Sequence, residues 1–164
     1  MGDIHFLADS MLGTLAKWLR ILGYDTVHDT RLDDNELVRL ARAEERILLT
    51  RDTALLQRKG LQCLFVASEI LQEQLTQVLR TFGLHADNAF SRCPACNTPL
   101  EDVSKYEAWG QVPPFVFQTQ ESFRLCPVCS RFYWRGTHWQ RMRAQIESLC
   151  NGGFCAAGRL QYNE

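Results

Sequence analysis

The sequence predicts an α/β protein: a parallel sheet flanked by helices, followed by a small module built on four cysteines. Two observations carry this reading. Over the first ~85 of the 164 residues, short apolar runs alternate with segments whose apolar residues recur at helical spacing, in the order β-α-β-α-β-α-β-α. From about Arg92 onward the texture changes to Cys-x-x-Cys pairs and prolines (Pro94, Pro99, Pro113, Pro114), and no long periodic segment returns until residues 139–148. Strands that alternate with helices are joined by right-handed crossovers, which lay the strands parallel and put helices on both faces of the sheet. The expected division is a sheet domain over 1–88, a cysteine module over 90–142, and a helix end with a loose tail over 143–164.

Each element has its own signal. Residues 4–8 form an apolar run ending at Asp9, after which Leu12, Leu15, Leu19 and Leu22 fall at helical spacing until Gly23 stops the helix. Residues 25–29 make a weak second strand, and Leu37, Leu40 and Ala41 mark a helix starting near Asp33 or Asp34. The clearest strand is Ile47, Leu48, Leu49 and Thr50. A short helical segment over 53–59, an apolar run over 63–66 with Cys63 as a small core residue, and a helix carrying Leu71, Leu75, Val78, Leu79 and Phe82 complete the first unit.

Composition narrows the function classes. Lys and Arg number 18 against 19 Asp and Glu, and 46% of residues are hydrophobic, as in an ordinary soluble domain. No apolar run approaches the ~20 residues a membrane helix needs, and the first residues lack the basic and apolar regions of an export signal, so a cytoplasmic location is expected. Residues 1–90 hold 10 basic and 13 acidic groups and residues 91–164 hold 8 and 6, which points to different tasks for the two halves. Seven cysteines are an odd number, and four of them form two Cys-x-x-Cys pairs, so reduced thiolates on a metal are expected in place of disulfides.

In a parallel sheet every strand ends at one edge, so Asp9, Asp29 and Asp52, each just after its strand, gather there. A helix that follows a strand brings Asp33 and Asp34 to the same rim. Clustered carboxylates repel unless a divalent cation offsets their charge, and hard oxygen donors suit Mg²⁺ or Mn²⁺. Helix capping is the competing use: Asp9, Asp33 and Asp52 stand where an N-cap is wanted, and Asp33-x-x-Glu36 reads as a capping box, which leaves Asp34 free to point into the site. Asp29 reads as a solvated turn residue. Thr50, two residues before Asp52, is placed to hydrogen-bond a ligand or a scissile phosphate.

The pair Cys93-x-x-Cys96, then 29 residues, then Cys126-x-x-Cys129, predicts a zinc ribbon, because two such turns close a tetrahedron of thiolates. A closed four-cysteine site is structural and does no chemistry. A redox dithiol is the alternative, but it belongs after a strand at the start of a helix, where neither pair lies. Cys150 and Cys155 bracket Asn-Gly-Gly-Phe and read as part of the loose tail. Between Arg124 and Arg143 stand five arginines (Arg124, Arg131, Arg135, Arg141, Arg143) and no acid, interleaved with Phe132, Tyr133, Trp134, His138 and Trp139. Arginine forks take phosphates and aromatic faces stack on unpaired bases, so the segment reads as a surface for single-stranded RNA; aromatic packing beside solvated arginines is the alternative. Lys17 and Arg20, on the first helix, fall where the same groove would pass.

Phe6-Leu7-Ala8-Asp9-x-Met11-Leu12-Gly13-x-Leu15-Ala16-x-Trp18-Leu19-Arg20-x-Leu22-Gly23-Tyr24-Asp25 and Ile47-Leu48-Leu49-Thr50-Arg51-Asp52 resemble the Mut-seven C-terminal RNase domain family, a branch of the PIN-like nuclease fold. The resemblance continues through Arg92-Cys93-x-x-Cys96-Asn97-x-x-Leu100 and Cys126-x-x-Cys129-x-Arg131-x-Tyr133-Trp134-x-Gly136-x-His138. It implies a PIN-like parallel sheet and a metal-dependent ribonuclease site, with the first acid at Asp9, the second at Asp34 and the third at Asp52. A fourth acid is common in PIN-like nucleases; Asp29, Asp33 and Glu69 are the candidates, and no motif chooses among them. Two other classes compete. A non-catalytic RNA- or protein-binding adapter, with a degenerate acid cluster, suits the missing fourth acid, whereas a phosphoacceptor receiver-like domain needs a strand-end lysine that this chain lacks.

Overall fold

Successive residues of a strand point to opposite faces, and this alternation sorts the helices. The structure, a computed structural model, describes residues 3–151. Its main sheet holds β1 (Phe6–Ala8), β2 (Thr26–His28), β3 (Ile47–Thr50) and β4 (Cys63–Phe65), all parallel, in the order β2-β1-β3-β4. Phe6, Ala8 and Leu49 face one side, where α1 (Gly13–Ile21) and α4 (Leu71–Phe82) cover them with Leu15, Leu19, Leu75, Val78 and Leu79. Leu7 and Leu48 face the other side, against Leu37, Val38 and Ala41 of α2 (Asp34–Ala43) and Leu55 of α3 (Thr53–Leu56). The expected strands and order are therefore present, with the first strand beginning at Phe6 and the short third helix ending at Leu56.

The cysteine module is a three-stranded antiparallel sheet of β5 (Glu101–Val103), β6 (Phe123–Leu125) and β7 (Phe132–Tyr133). Its own core is small: Ala108, Val112 and Phe123. Between β5 and β6 lies α5 (Pro114–Thr119), whose six residues are too few to register as periodicity. The last helix, α6 (Thr137–Leu149), turns back to the first unit, and its Ile146 and Leu149 join the cluster of Leu15 and Leu19. A boundary between residues 142 and 143 thus falls inside one helix that packs on the main sheet's helical layer. Cys155 and the tail beyond residue 151 lie outside the described residues.

The two parts are joined by a polar seam. Arg20, expected to line a groove, is instead buried at 8% exposure in α1. Its Nε donates to Thr26 O at 2.8 Å and its Nη1 to Pro94 O at 2.9 Å and Ala95 O at 3.1 Å, the carbonyls between the first two cysteines. The physical reason is the module itself, which covers a helix face that local periodicity marks as solvent. Beside it, Asn97 Oδ1 accepts from Thr26 N at 2.9 Å and Asn97 Nδ2 donates to Asp25 Oδ1 at 2.7 Å. Gly23 lets the chains approach: its φ is +97°, and a Cβ there would lie 2.3 Å from Asn88 O, so any other residue forces the strand-turn and the linker apart.

Arg20→Ala strips the buried Thr26 carbonyl and the Pro94 and Ala95 carbonyls of the cysteine turn of a charged donor, and is expected to lower the unfolding free energy by about 2–4 kcal/mol. Arg20→Lys recovers part of this, because an ammonium lacks the fork that reaches all three acceptors. Denaturant unfolding measures both, and a wild-type midpoint for the alanine variant would show that the seam does not depend on Arg20.

Candidate functional site

The residue that follows β1 is Asp9, 5% exposed. Its Oδ2 accepts Thr50 Oγ1 at 2.5 Å and Arg51 N at 3.1 Å, and its Oδ1 accepts Met11 N at 3.0 Å. Thr50 Oγ1 in turn accepts Asp52 N at 2.9 Å. One buried hydroxyl therefore ties the ends of β1 and β3 together. Thr50 is fully buried and donates a hydrogen bond to Asp9, so it orients this carboxylate. Among the described residues no cation pairs with Asp9. Arg51, next to it in space through its backbone, turns its guanidinium to Val66 O and Ala67 O, both at 3.0 Å, and to Glu69 at 3.3 Å.

The other acids divide. Asp52 is half-buried and caps α3, Oδ1 accepting Ala54 N at 2.8 Å. Asp34 is exposed as the first residue of α2. Asp33 forms the expected capping box with Glu36, each bond 2.8 Å. Asp29 takes three hydrogen bonds from Arg31, which hold its carboxyl down at about 2. As candidate fourth acids, Asp29, Asp33 and Glu69 are all engaged locally, Glu69 by Arg51. Asp9, Asp34 and Asp52 share the carboxyl-end edge without closing into one ligand group.

Sequence reasoning missed His28. It ends β2 opposite Ala8, and its ring lies over the start of α1: a Cβ on Gly13 would sit 3.0 Å from His28 Cε1. A side chain at position 13 would make that ring give way by a few tenths of an ångström. The edge argument that singled out Asp29 applies equally to a histidine one residue earlier, and was obscured by the weak pattern of its strand.

The residues that do converge are Cys93, Cys96, Cys126 and Cys129, with all four Sγ atoms within 4.8 Å of one another. Two matching turns position them. Cys93 N and Cys126 N donate to Thr98 O and Arg131 O, while Asn97 N and Ser130 N return to Cys93 O and Cys126 O. The residue after each second cysteine is left-handed, Asn97 at φ +65° and Ser130 at φ +59°. Tyr133 Oη lies 3.0 Å from Cys93 Sγ. Burial pushes the Cys93 thiol up, but that bond and the amides of Cys96 and Ala95 outweigh it and bring it to about 7. Burial, with hydrogen bonding to Cys129 and the charge on Cys93, pushes Cys96 to about 12. Four thiols this close cannot all ionise unaided, whereas a tetrahedral divalent cation removes the conflict; the donor set fits zinc.

The basic segment also divides. Arg124 pairs with Asp102 at 2.9 Å and donates to Phe90 O, and Arg143 pairs with Glu147 at 2.8 Å. Tyr133 serves the cysteine centre, Trp134 packs on Phe123 in the module core, and Trp139 stacks on Phe90 with ring centroids 5.0 Å apart. Each of these three aromatics thus contacts another group of the fold. Arg131, Arg135 and Arg141 are exposed, and Lys17 is exposed on α1.

A family model described as the Mut7-C RNAse domain matches residues 4–146. Comparison with curated proteins and with solved structures yields no match. No helix among the described residues is long and apolar enough to cross a membrane.

Metal analysis of the purified protein is expected to find one zinc per chain, with no disulfide among the four cysteines. Cys126→Ser should lose that zinc and disorder residues around 93–135 while the main sheet and its helices persist, because the module's own core is too small to hold it. Full zinc occupancy in this variant, measured alongside amide hydrogen exchange, is the contrary result.

Proposed function

The chain belongs to the Mut7-C RNAse domain family, and from that premise we propose that it is a ribonuclease dependent on Mg²⁺ or Mn²⁺, with Asp9, Asp34 and Asp52 as the residues that would hold the ion. One observation carries the reading: a buried carboxylate, Asp9, fixed by three donors and paired with no cation among the described residues. Buried charges are otherwise paired or bound to metals. A carboxylate has about four acceptor positions, so three hydrogen bonds leave Asp9 capacity for one more partner, and Asp52 spends only Oδ1 on its cap. Both donor sets are hard oxygens, which fit the ion.

Such an ion, when bound, supplies activation of water for in-line attack on a phosphodiester and offsets charge on the leaving oxygen. The chain's residues do the rest. Thr50 and the Arg51 amide hold Asp9 in one orientation, so no reorganisation is needed on binding. Asp34, at the free end of α2, brings the second charged oxygen to the edge. The substrate would be single-stranded RNA, gripped at its phosphates by the exposed Arg131, Arg135 and Arg141 and by Lys17. The zinc ribbon positions these arginines and takes no part in the chemistry.

Asp9→Asn and Asp52→Asn are each expected to lower RNA cleavage about a hundredfold or more without unfolding the protein, and chelator should abolish it. End-labelled RNA with and without Mn²⁺ measures this. Cleavage that survives both substitutions, or excess chelator, sinks the assignment; RNA bound but never cut under any metal would establish the adapter reading instead.

Changing Arg131, Arg135 and Arg141 together to Gln should flatten the dependence of log affinity on log salt by about one to two units, since each single-strand phosphate contact contributes about 0.7. An unaltered slope would mean that these arginines are solvated and that the strand runs elsewhere.

A further inference from the structure

α1 and α6 flank an open groove of about 500 Å³, and we propose that it binds one nucleotide of the RNA strand, its base against Trp18 and Met142 and its phosphate between Lys17 and Arg141. This deepens the ribonuclease reading and rests on it for the identity of the strand. The two walls come from distant parts of the chain: Lys17, Trp18 and Ile21 from α1, and His138, Arg141 and Met142 from α6.

Charge selects the ligand class. Two exposed cations stand on opposite walls and no carboxylate lines the groove, although the first unit as a whole is acidic. The site therefore favours an anion. Its floor is apolar, which a free phosphate would not use: Trp18 and Met142 are half-buried and packed against the core cluster that contains Leu15, Leu19 and Ile146. Held from below, they offer a rigid indole and a polarisable thioether to a flat ring. A volume of 500 Å³ lies in the range of small-ligand sites and admits one nucleotide. A base can enter only if it is unstacked and unpaired, so the groove selects single strands. His138, exposed near the start of α6, supplies ring nitrogens within reach of a base edge. Lys17 is one turn, about 6 Å, along α1 from Gly13, where the helix leaves the acid edge, so a strand in the groove continues toward Asp9.

Full-length zinc-loaded protein, with no Mg²⁺ or Mn²⁺ added and no RNA present so that nothing is cut, is titrated with 5′-AMP, ribose 5-phosphate and inorganic phosphate while tryptophan fluorescence is followed. 5′-AMP is expected to quench Trp18, and Trp18→Phe to remove that signal. Ribose 5-phosphate should bind at least about fivefold more weakly, the stacking contribution of one base. Lys17→Gln with Arg141→Gln should weaken 5′-AMP about tenfold or more; both side chains are exposed, and circular dichroism confirms that the double variant is folded. Quenching retained in Trp18→Phe, equal affinity for ribose 5-phosphate, or wild-type affinity in the double variant would each overturn the proposal. Because no turnover is read, those outcomes leave the metal-dependent reading of Asp9 standing, whereas cleavage by Asp9→Asn fells that reading and leaves this one intact.

Discussion

A buried guanidinium cannot be left without acceptors, and in this protein the acceptors of Arg20 come from both halves of the chain. One carbonyl belongs to the entry of β2 and two belong to the first cysteine turn. The cation is also drawn to what lies behind those carbonyls: burial leaves its pKa below the usual arginine value, and the sulfurs of Cys93 and Cys96 and the Asp25 carboxylate partly oppose that shift. Four thiolates around a divalent zinc carry a net charge of −2 by simple addition of charges, so a fixed positive group beside the centre is favourable. The seam and a zinc held by these four cysteines would thus support one another. Once the module is anchored at Arg20, Asn97 and Gly23, the chain that leaves it returns as α6 along α1, and the groove between those helices exists because of that anchoring.

At the opposite end of α1 the constraint is negative charge. Asp9 is held by Thr50, Arg51 and Met11, none of which brings a full charge within bonding distance of it; Arg51 contributes its amide and sends its guanidinium away toward Glu69. A protein that needed Asp9 only as a cap for the turn over Ser10–Leu12 would gain nothing from burying it or from a second bond network. By contrast, Asp33 behaves as a cap should: exposed, reciprocated by Glu36, and spent on the helix it starts. Asp29 is likewise neutralised by Arg31 where it stands. The edge therefore sorts its acids by whether their own chain answers their charge.

Much of this was legible without coordinates. Alternating apolar runs predicted four parallel strands, the glycine and aspartate positions marked where helices stop and start, and the cysteine spacing predicted the group of ligands that converges among the described residues. The parts that were not legible are those in which a residue's partner is far away in sequence. The hydroxyl of Thr50 accepts locally from Asp52 N, but the acceptor of its own hydrogen, Asp9, lies 41 residues upstream and could not be read from the neighbouring sequence. Tyr133 looked like a stacking surface because its neighbours are basic, and its hydroxyl instead reaches a cysteine of the other turn. The ring of His28 lies against Gly13, fifteen residues upstream, a contact that local polarity does not encode.

The sharpest contrast lies on one helix. Sequence alone determined that α1 is amphipathic, that its leucines face the sheet, and that Lys17 and Arg20 fall among its polar positions, because helical period and side-chain polarity are local properties. Only the tertiary structure decided that these two cations, three residues apart, have opposite fates: Lys17 stays in solvent on the wall of a groove, while Arg20 is sealed under the first cysteine turn. The reason is that polarity records what a side chain tolerates, whereas burial depends on which distant segment arrives to cover it, and that segment begins more than seventy residues further along the chain.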